Sequence, residues 1–285
     1  MNYRHGFHAG NHADVLKHVV LLSVCARLMR KPGACFALDT HAGRGLYALD
    51  GAQAARTREA DSGVRRLDSL ASKLPALLRY REAIAACRAQ HGPQAYPGSP
   101  WLLAHALRVQ DRIACCELQP GEADILRANF RHDRRLVVHQ RDGYAALPAL
   151  LPPRTATDRF ARGLVLIDPP YEAQLDEFDA ALAALREGLG RWPQGVFLLW
   201  YPIKQGRALA RFYRRSAQLP AASVFCAELL VREDDSPLRM NGSGVLLLNP
   251  PWQLDAELQP ALSILRDALG EAGAQSRLEW LRAAA

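Results

Sequence analysis

No stretch of this sequence is long and apolar enough to span a bilayer. The nearest candidate, Val19–Met29, is broken by Arg27 and falls well short of the ~20 apolar residues a membrane helix needs. The chain also lacks any C-x-x-C pair. Its six cysteines are Cys25, Cys35, Cys87, Cys115, Cys116 and Cys226, and several sit inside apolar runs. That spacing speaks against a zinc site or a disulfide framework and fits reduced, buried thiols. The opening residues, Met-Asn-Tyr-Arg-His-Gly-Phe-His, contain no apolar signal core, so a cytoplasmic location is expected. Internal repeats and low-complexity segments are missing too.

What remains is ordinary globular composition, 49% hydrophobic and 23% charged, over 285 residues. That length suffices for a large α/β core. The net charge of +7 and a pI near 9.3 suit a polyanionic partner. Short apolar, β-rich runs recur at Ala34–Thr40, Ile113–Leu118, Leu136–Gln140, Leu164–Asp168, Val196–Tyr201, Ser223–Val231 and Gly244–Asn249. Their hydrophobicity is continuous rather than alternating, as in parallel strands covered on both faces. Seven strands with helices between them predict a doubly wound α/β fold. The last two runs have no helix between them and are expected to form an antiparallel hairpin at the sheet edge. Asn11 is placed to cap a helix whose face carries Val15, Val19, Leu22, Ala26 and Met29, ended by Pro32-Gly33. Ser99 is placed to cap another, with Pro100 in the first helical position.

Four strand exits carry chemistry. The first strand runs into His41-Ala42-Gly43-Arg44-Gly45, a turn that lets the backbone approach a nucleotide-like ligand. The third glycine of the dinucleotide fingerprint is absent, which counts against NAD. A ribose-binding acid is expected about 20 residues further on. The candidate, Glu117 after the second strand, lies 72 residues after Gly45. Residues 47–98 account for the excess. They read as an inserted small helical subdomain, with Leu67, Leu70, Leu74, Leu77 and Leu78 on one side, splitting a core of residues 1–46 and 99–285. The insert holds eight basic residues against five acidic, mildly favouring a nucleic-acid-facing role. The third strand exits at Asp142-Gly143, where the acid can accept from an adenine amine.

The fourth strand, Gly163–Ile167, exits at Asp168-Pro169-Pro170-Tyr171. Proline keeps its carbonyl while losing its N–H, so Asp168 and Pro169 present two acceptors for an exocyclic amine. Two such bonds draw the nitrogen lone pair out of conjugation and make it nucleophilic. Tyr171 can stack on the base. Together these exits have the layout of a seven-stranded, Rossmann-like class I methyltransferase that uses S-adenosylmethionine on an amino nitrogen. Asn249-Pro250-Pro251-Trp252 repeats the acceptor-Pro-Pro-aromatic form after the seventh strand, expected at the edge, and is read as a plain strand exit.

The first eighteen residues hold His5, His8, His12 and His18. No Cys or acid cluster accompanies them, and no metal site is assigned. The block Tyr3-Arg4-His5-x-Phe7-His8-Ala9-Gly10-Asn11-His12-Ala13-Asp14-Val15-Leu16-Lys17-His18 resembles the opening of the bacterial RlmJ family. Leu38-Asp-Thr-His-Ala-Gly43, Tyr96-Pro-Gly-Ser-Pro100, Leu166-Ile-Asp-Pro-Pro-Tyr171, Leu199-Trp-Tyr-Pro202 and Asn249-Pro-Pro-Trp252 match as well. Arg44-Gly45-Leu46 departs locally, and the inserted segment matches only loosely. The resemblance implies methylation of the N6 amine of a specific adenine in 23S ribosomal RNA, free or in an early assembly particle. It implies S-adenosylmethionine as cofactor and no membrane or obligate protein partner. Cofactor roles then fall on His18, His41, Ser99, Glu117, Asp142, Gly143 and Asp168, catalysis on Asp168, and substrate roles on Tyr3, His5 and Lys17 beside Pro169 and Tyr171. A DNA adenine methyltransferase and a non-catalytic RNA-binding protein on the same scaffold stay open. The first is disfavoured by the want of a target-recognition domain beyond the insert, the second by the complete acid–glycine set.

Overall fold

A computed structural model describes residues 5–154, 159–171, 174–234, 236 and 240–283. In chain order, helix α1 (His12–Leu28) leads into strand β1 (Phe36–Asp39). Then follow β2 (Leu46–Ala48), α2 (Ala54–Thr57), α3 (Pro75–His91), β3 (Ala95–Pro97) and α4 (Ser99–Ala106). The alternation continues with β4 (Arg112–Cys116), α5 (Pro120–Phe130), β5 (Leu136–His139), α6 (Gly143–Leu150), β6 (Gly163–Ile167), α7 (Gln174–Arg191) and β7 (Val196–Ile203). The chain closes with α8 (Ala210–Ser216), β8 (Val224–Leu230), β9 (Gly242–Leu248), α9 (Leu254–Leu269) and β10 (Gln275–Arg282).

Eight strands form one sheet in the order β10-β8-β9-β7-β6-β1-β4-β5. The five strands from β5 to β7 are parallel, and β9 and β10 run against them. This is the mostly parallel α/β sheet that the apolar runs predict. β1, β6, β8 and β9 are buried at every position, which is why their sequences read as unbroken apolar runs. Two hydrophobic layers cover the faces. One is built from α1, α3, α4 and α9, the other from α6, α7 and α8. No helix among the described residues is long and apolar enough to cross a membrane, and all six cysteines are buried and free.

Several expectations need correction. The sheet has eight strands, not seven. The extra one, β10, is Gln-Ser-Arg-Leu-Glu-Trp-Leu-Arg, a half-exposed edge that offers no apolar run to recognise. β9 is not at the edge either, since it lies between β7 and β8 with β10 outside them. Ser99 is the first residue of α4 rather than its cap. The cap is Gly98, where an added Cβ would lie 3.1 Å from both the Gly45 Cα and Tyr47 Cε2, a tight fit against the glycine turn. α1 is capped by Asn11 as expected, its side chain accepting from Ala13 N and Asp14 N, both at 3.0 Å. The helix is buried nearly all round rather than on one face, because it is clasped between the sheet, α3 and α9.

Residues 47–98 are helical only in part. β2 and β3 pair as an antiparallel ribbon, Leu67 ends a short 3-10 turn, Leu70 and Leu74 lie outside any helix, and α3 carries Leu77 and Leu78. Val64, Leu67, Leu77 and Tyr80 join the same core as α1.

Candidate active site

Because β1, β4, β5 and β6 are parallel, their C-terminal ends share one pole. The sheet order reverses there between β1 and β6, the position where open α/β sheets bind ligands. A cavity of about 1060 Å³ opens at this pole. Eleven of the site residues expected from sequence line it: His5, Lys17, His18, His41, Ser99, Glu117, Asp142, Gly143, Asp168, Pro169 and Tyr171. Tyr3 lies outside the described residues.

One half of the cavity is formed by the exits of β1, β4 and β5. Gly43 and Gly45 take left-handed φ angles of 58° and 74°, which a glycine adopts without strain. The Gly43 N–H donates to Glu117 Oε2 at 3.0 Å, and the Gln119 N–H donates to Glu117 Oε1 at 2.7 Å. Burial pushes the Glu117 carboxyl above its usual range against the pull of these bonds. Asp142 caps α6, its Oδ1 accepting from Ala145 N at 2.8 Å. An added Cβ at Gly143 would stand 2.1 Å from the Thr40 carbonyl oxygen and 2.9 Å from His41 Cε1. Thr40 Oγ1 donates to Leu166 O at 3.0 Å and lies 2.8 Å from His41 Nδ1. The hydroxyl has one proton, so His41 donates from Nδ1. Burial holds the His41 ring down to about 4, neutral at pH 7 with Nε2 as an acceptor. Beneath it the Asp39 carboxyl is pushed up to about 7, by burial first and then by the nearby Asp168 charge.

The other half is built on β6 and the start of α1. Lys17 Nζ lies 2.5 Å from Asp168 Oδ2 and 2.9 Å from Asp14 Oδ1. Burial works against the Lys17 charge, but the two carboxylates outweigh it and hold the ammonium well above its ordinary range. His18 Nδ1 meets Tyr96 Oη at 3.0 Å, and Tyr96 in turn meets Tyr80 Oη at 3.2 Å. Burial lowers His18 to about 3, so this imidazole is neutral as well. Tyr171 is clamped. Its hydroxyl donates to Trp200 O at 2.9 Å, and its ring lies 5.1 Å from Phe178 and 5.7 Å, edge-on, from Trp200.

Asp14, Asp39, Tyr96 and Trp200 belong to this arrangement but were not singled out from sequence. Asp14 left a signal, standing three residues before Lys17 and four before His18 on one helix face. Tyr96 and Trp200 left none beyond their place in the quoted blocks.

The second acceptor-Pro-Pro-aromatic corner is elsewhere. β9 is antiparallel to β7, with Leu248 opposite Phe197, so Asn249 emerges at the N-terminal pole of the parallel strands. Its amide is fully engaged there. Nδ2 donates to Pro193 O at 2.8 Å and Gly195 O at 2.9 Å, while Oδ1 accepts from Ala222 N at 2.7 Å. The Arg27 guanidinium, at the far end of α1 from Lys17, donates to the Trp252 carbonyl at 3.1 Å.

A family described as "Ribosomal RNA large subunit methyltransferase D, RlmJ" matches residues 33–282. The Ribosomal RNA large subunit methyltransferase J proteins of Haemophilus influenzae and Escherichia coli are each 36% identical to this chain over 285 residues, covering 99% of both partners. The crystal structure of a Legionella pneumophila protein superposes with a TM-score of 0.84 at 29% identity, covering 96% of this chain and 98% of that one.

Proposed function

As the chain belongs to the RlmJ family of ribosomal RNA large subunit methyltransferases, we propose that it methylates the N6 amine of a specific adenine in 23S ribosomal RNA, with S-adenosylmethionine as donor. The cavity fits that cofactor. A cradle at Gly143 has no room for a Cβ, a glycine turn faces it, and carboxylates at Glu117 and Asp142 stand at adjacent strand ends. Glu117 would take the ribose hydroxyls, Asp142 and Gly143 the adenine end, and His18, His41 and Ser99 the remainder. Bound there, S-adenosylmethionine supplies an electrophilic methyl group on a sulfonium.

The residues of the chain do the positioning. Asp168 and the Pro169 carbonyl accept from the two amine hydrogens of an unpaired or flipped adenine, and the clamped Tyr171 ring stacks on its face. This holds the nitrogen lone pair out of the ring system and in line for attack. An adenine amine is not basic, so the proton leaves after the methyl arrives, when the nitrogen is cationic and a carboxylate suffices as acceptor. Asp168 lies in position to take it. Catalysis is then mostly orientation and electrostatics. We read the substrate as 23S RNA, free or in an early assembly particle in the cytoplasm, with no obligate protein partner. Residues 47–98 are read as a segment inserted into a core of 1–46 and 99–285.

The observation that carries this reading is that Asp168 and Pro169 line the same cavity as Glu117 and Asp142. The test is labelled methyl transfer to ribosomal RNA from cells lacking this gene, compared with mature RNA, with the site mapped. Transfer to one adenine of the unmodified RNA is expected. Asp168→Ala should abolish it while calorimetry still records S-adenosylmethionine binding. Transfer to DNA and not RNA refutes the reading.

A further inference from the structure

The reaction as described leaves the buried carboxylate that shares Lys17 with Asp168 unused. Asp14 is 2% exposed, yet both its oxygens are engaged. Oδ1 faces Lys17 Nζ at 2.9 Å. Oδ2 accepts from the Gly10 N–H at 2.9 Å and lies 2.9 Å from His5 Nε2. His5 and Lys17 overcome the cost of burial and hold the Asp14 carboxyl well below its usual range. Lys17 bridges on to Asp168 Oδ2 at 2.5 Å, and Asp168 Oδ1 has no hydrogen-bond partner among the described residues. One oxygen of Asp14 therefore grips the N-terminal segment, and the other grips the lysine that touches Asp168.

We propose that Asp14 is a positioning residue: through Lys17 it fixes the Asp168 carboxylate for the adenine amine, and through His5 it ties that setting to the seating of the N-terminal segment. The inference rests on Asp168 being the amine acceptor. Its physical basis is a charge count. A buried ammonium demands a carboxylate. With Asp168 as sole partner, Lys17 would neutralise it and hold it close, leaving a poor acceptor for a weakly acidic amine. Shared with Asp14, one ammonium serves two carboxylates, so its charge is not spent on Asp168 alone. Lys17 then occupies Oδ2, while Oδ1 stays open to the substrate amine and to the proton it releases.

The test is Asp14→Asn, which keeps the shape of the side chain and removes its charge, assayed beside wild type, Lys17→Met and the double variant. Misplacement of a catalytic group costs on the order of tenfold to a hundredfold in rate. The expected result is therefore a kcat on ribosomal RNA lower by about tenfold or more, with S-adenosylmethionine affinity within about threefold of wild type. In the Lys17→Met background the second substitution should cost nothing further. A purely structural Asp14 would weaken cofactor binding and lower kcat independently of Lys17. A kcat within about twofold of wild type, or losses that multiply in the double variant, overturn the proposal. Asp14→Glu, with its charge retained on a longer arm, is the second variant, expected to bind cofactor with reduced kcat. Unchanged kcat in that variant, or failure of both variants to bind cofactor, also overturns it. A wild-type protein that transfers no methyl to this RNA fails the parent reading instead, and the inference falls with it.

Discussion

Alanine substitution should separate the two acceptor-Pro-Pro-aromatic corners. Asn249→Ala removes three hydrogen bonds, from Ala222 N and to the carbonyls of Pro193 and Gly195. Each neutral bond is worth ~1 kcal/mol net, and water reaches this half-exposed corner, so about 2 kcal/mol is lost. Asn249 also has a φ of 53°, where alanine adds ~1 kcal/mol of strain that asparagine tolerates better. The sum is about 3 kcal/mol, or roughly 6 °C in Tm for a chain of this size. Asn249→Gly relieves the strain and should recover about 1 kcal/mol of it. Thermal unfolding reads these shifts, and labelled methyl transfer per mole of native protein reads function. The expected pattern is a lowered Tm with unchanged kcat at Asn249, against abolished transfer per mole of native protein at Asp168, where the loss of one partner of the buried Lys17 also lowers Tm. If Asn249→Ala lost transfer at an unchanged Tm, assigning chemistry by strand pole would be wrong.

Gly143→Ala should weaken S-adenosylmethionine binding about tenfold or more. The new Cβ would press on the Thr40 carbonyl, and overpacking of 1–3 kcal/mol displaces the turn; calorimetry showing wild-type affinity would refute the close approach. Asp39→Asn should stabilise the cofactor-free protein, increasingly so as pH rises. The Asp39 carboxyl titrates near 7 when folded against 3.8 for an ordinary aspartate, so the folded state holds the extra proton. Its relative stability is full below about 4 and is lost as pH climbs through 7. The difference in Tm between the variant and wild type should therefore widen from pH 4 to pH 8, and a constant difference would show that Asp39 does not carry the effect.

The strand exits were legible because a strand buried on both faces is an unbroken apolar run, and acids and glycines at its end stand out. β10 was not, since an edge strand is half in water and its sequence mixes charge with leucine and tryptophan. The Asn11 cap was readable because its partners are two and three residues away. The partners that define the centre of the site are not local. Lys17 and Asp168 are 151 residues apart, and His18 and Tyr96 are 78 apart, so the sequence marked the residues without their pairing. Direction was the other hidden quantity. Asn249-Pro-Pro-Trp and Asp168-Pro-Pro-Tyr have the same local grammar. Only the antiparallel pairing of β9 with β7 sends one to the pole opposite the cavity.

Charge is divided between the cavity and the rest of the protein. The chain carries 36 lysines and arginines against 29 acids. Yet among the described residues the cavity is lined by six carboxylates (Asp14, Glu59, Glu117, Glu122, Asp142 and Asp168), only two lysines (Lys17 and Lys204) and no arginine. His18 and His41, at about 3 and about 4, add no positive charge at pH 7, whereas His8, also in the lining, is raised by its bond to Glu59 and offsets that carboxylate. A cavity of this sign favours a sulfonium cation over an RNA phosphate. The excess positive charge that attracts RNA must therefore lie outside it, on the arginine-rich exterior. The division also follows the reaction. Methyl transfer removes the positive charge of the sulfonium, so the spent donor loses the attraction that held the fresh one. In the proposed reaction Asp168, paired with the Lys17 ammonium, is the group that receives the proton released by the adenine nitrogen.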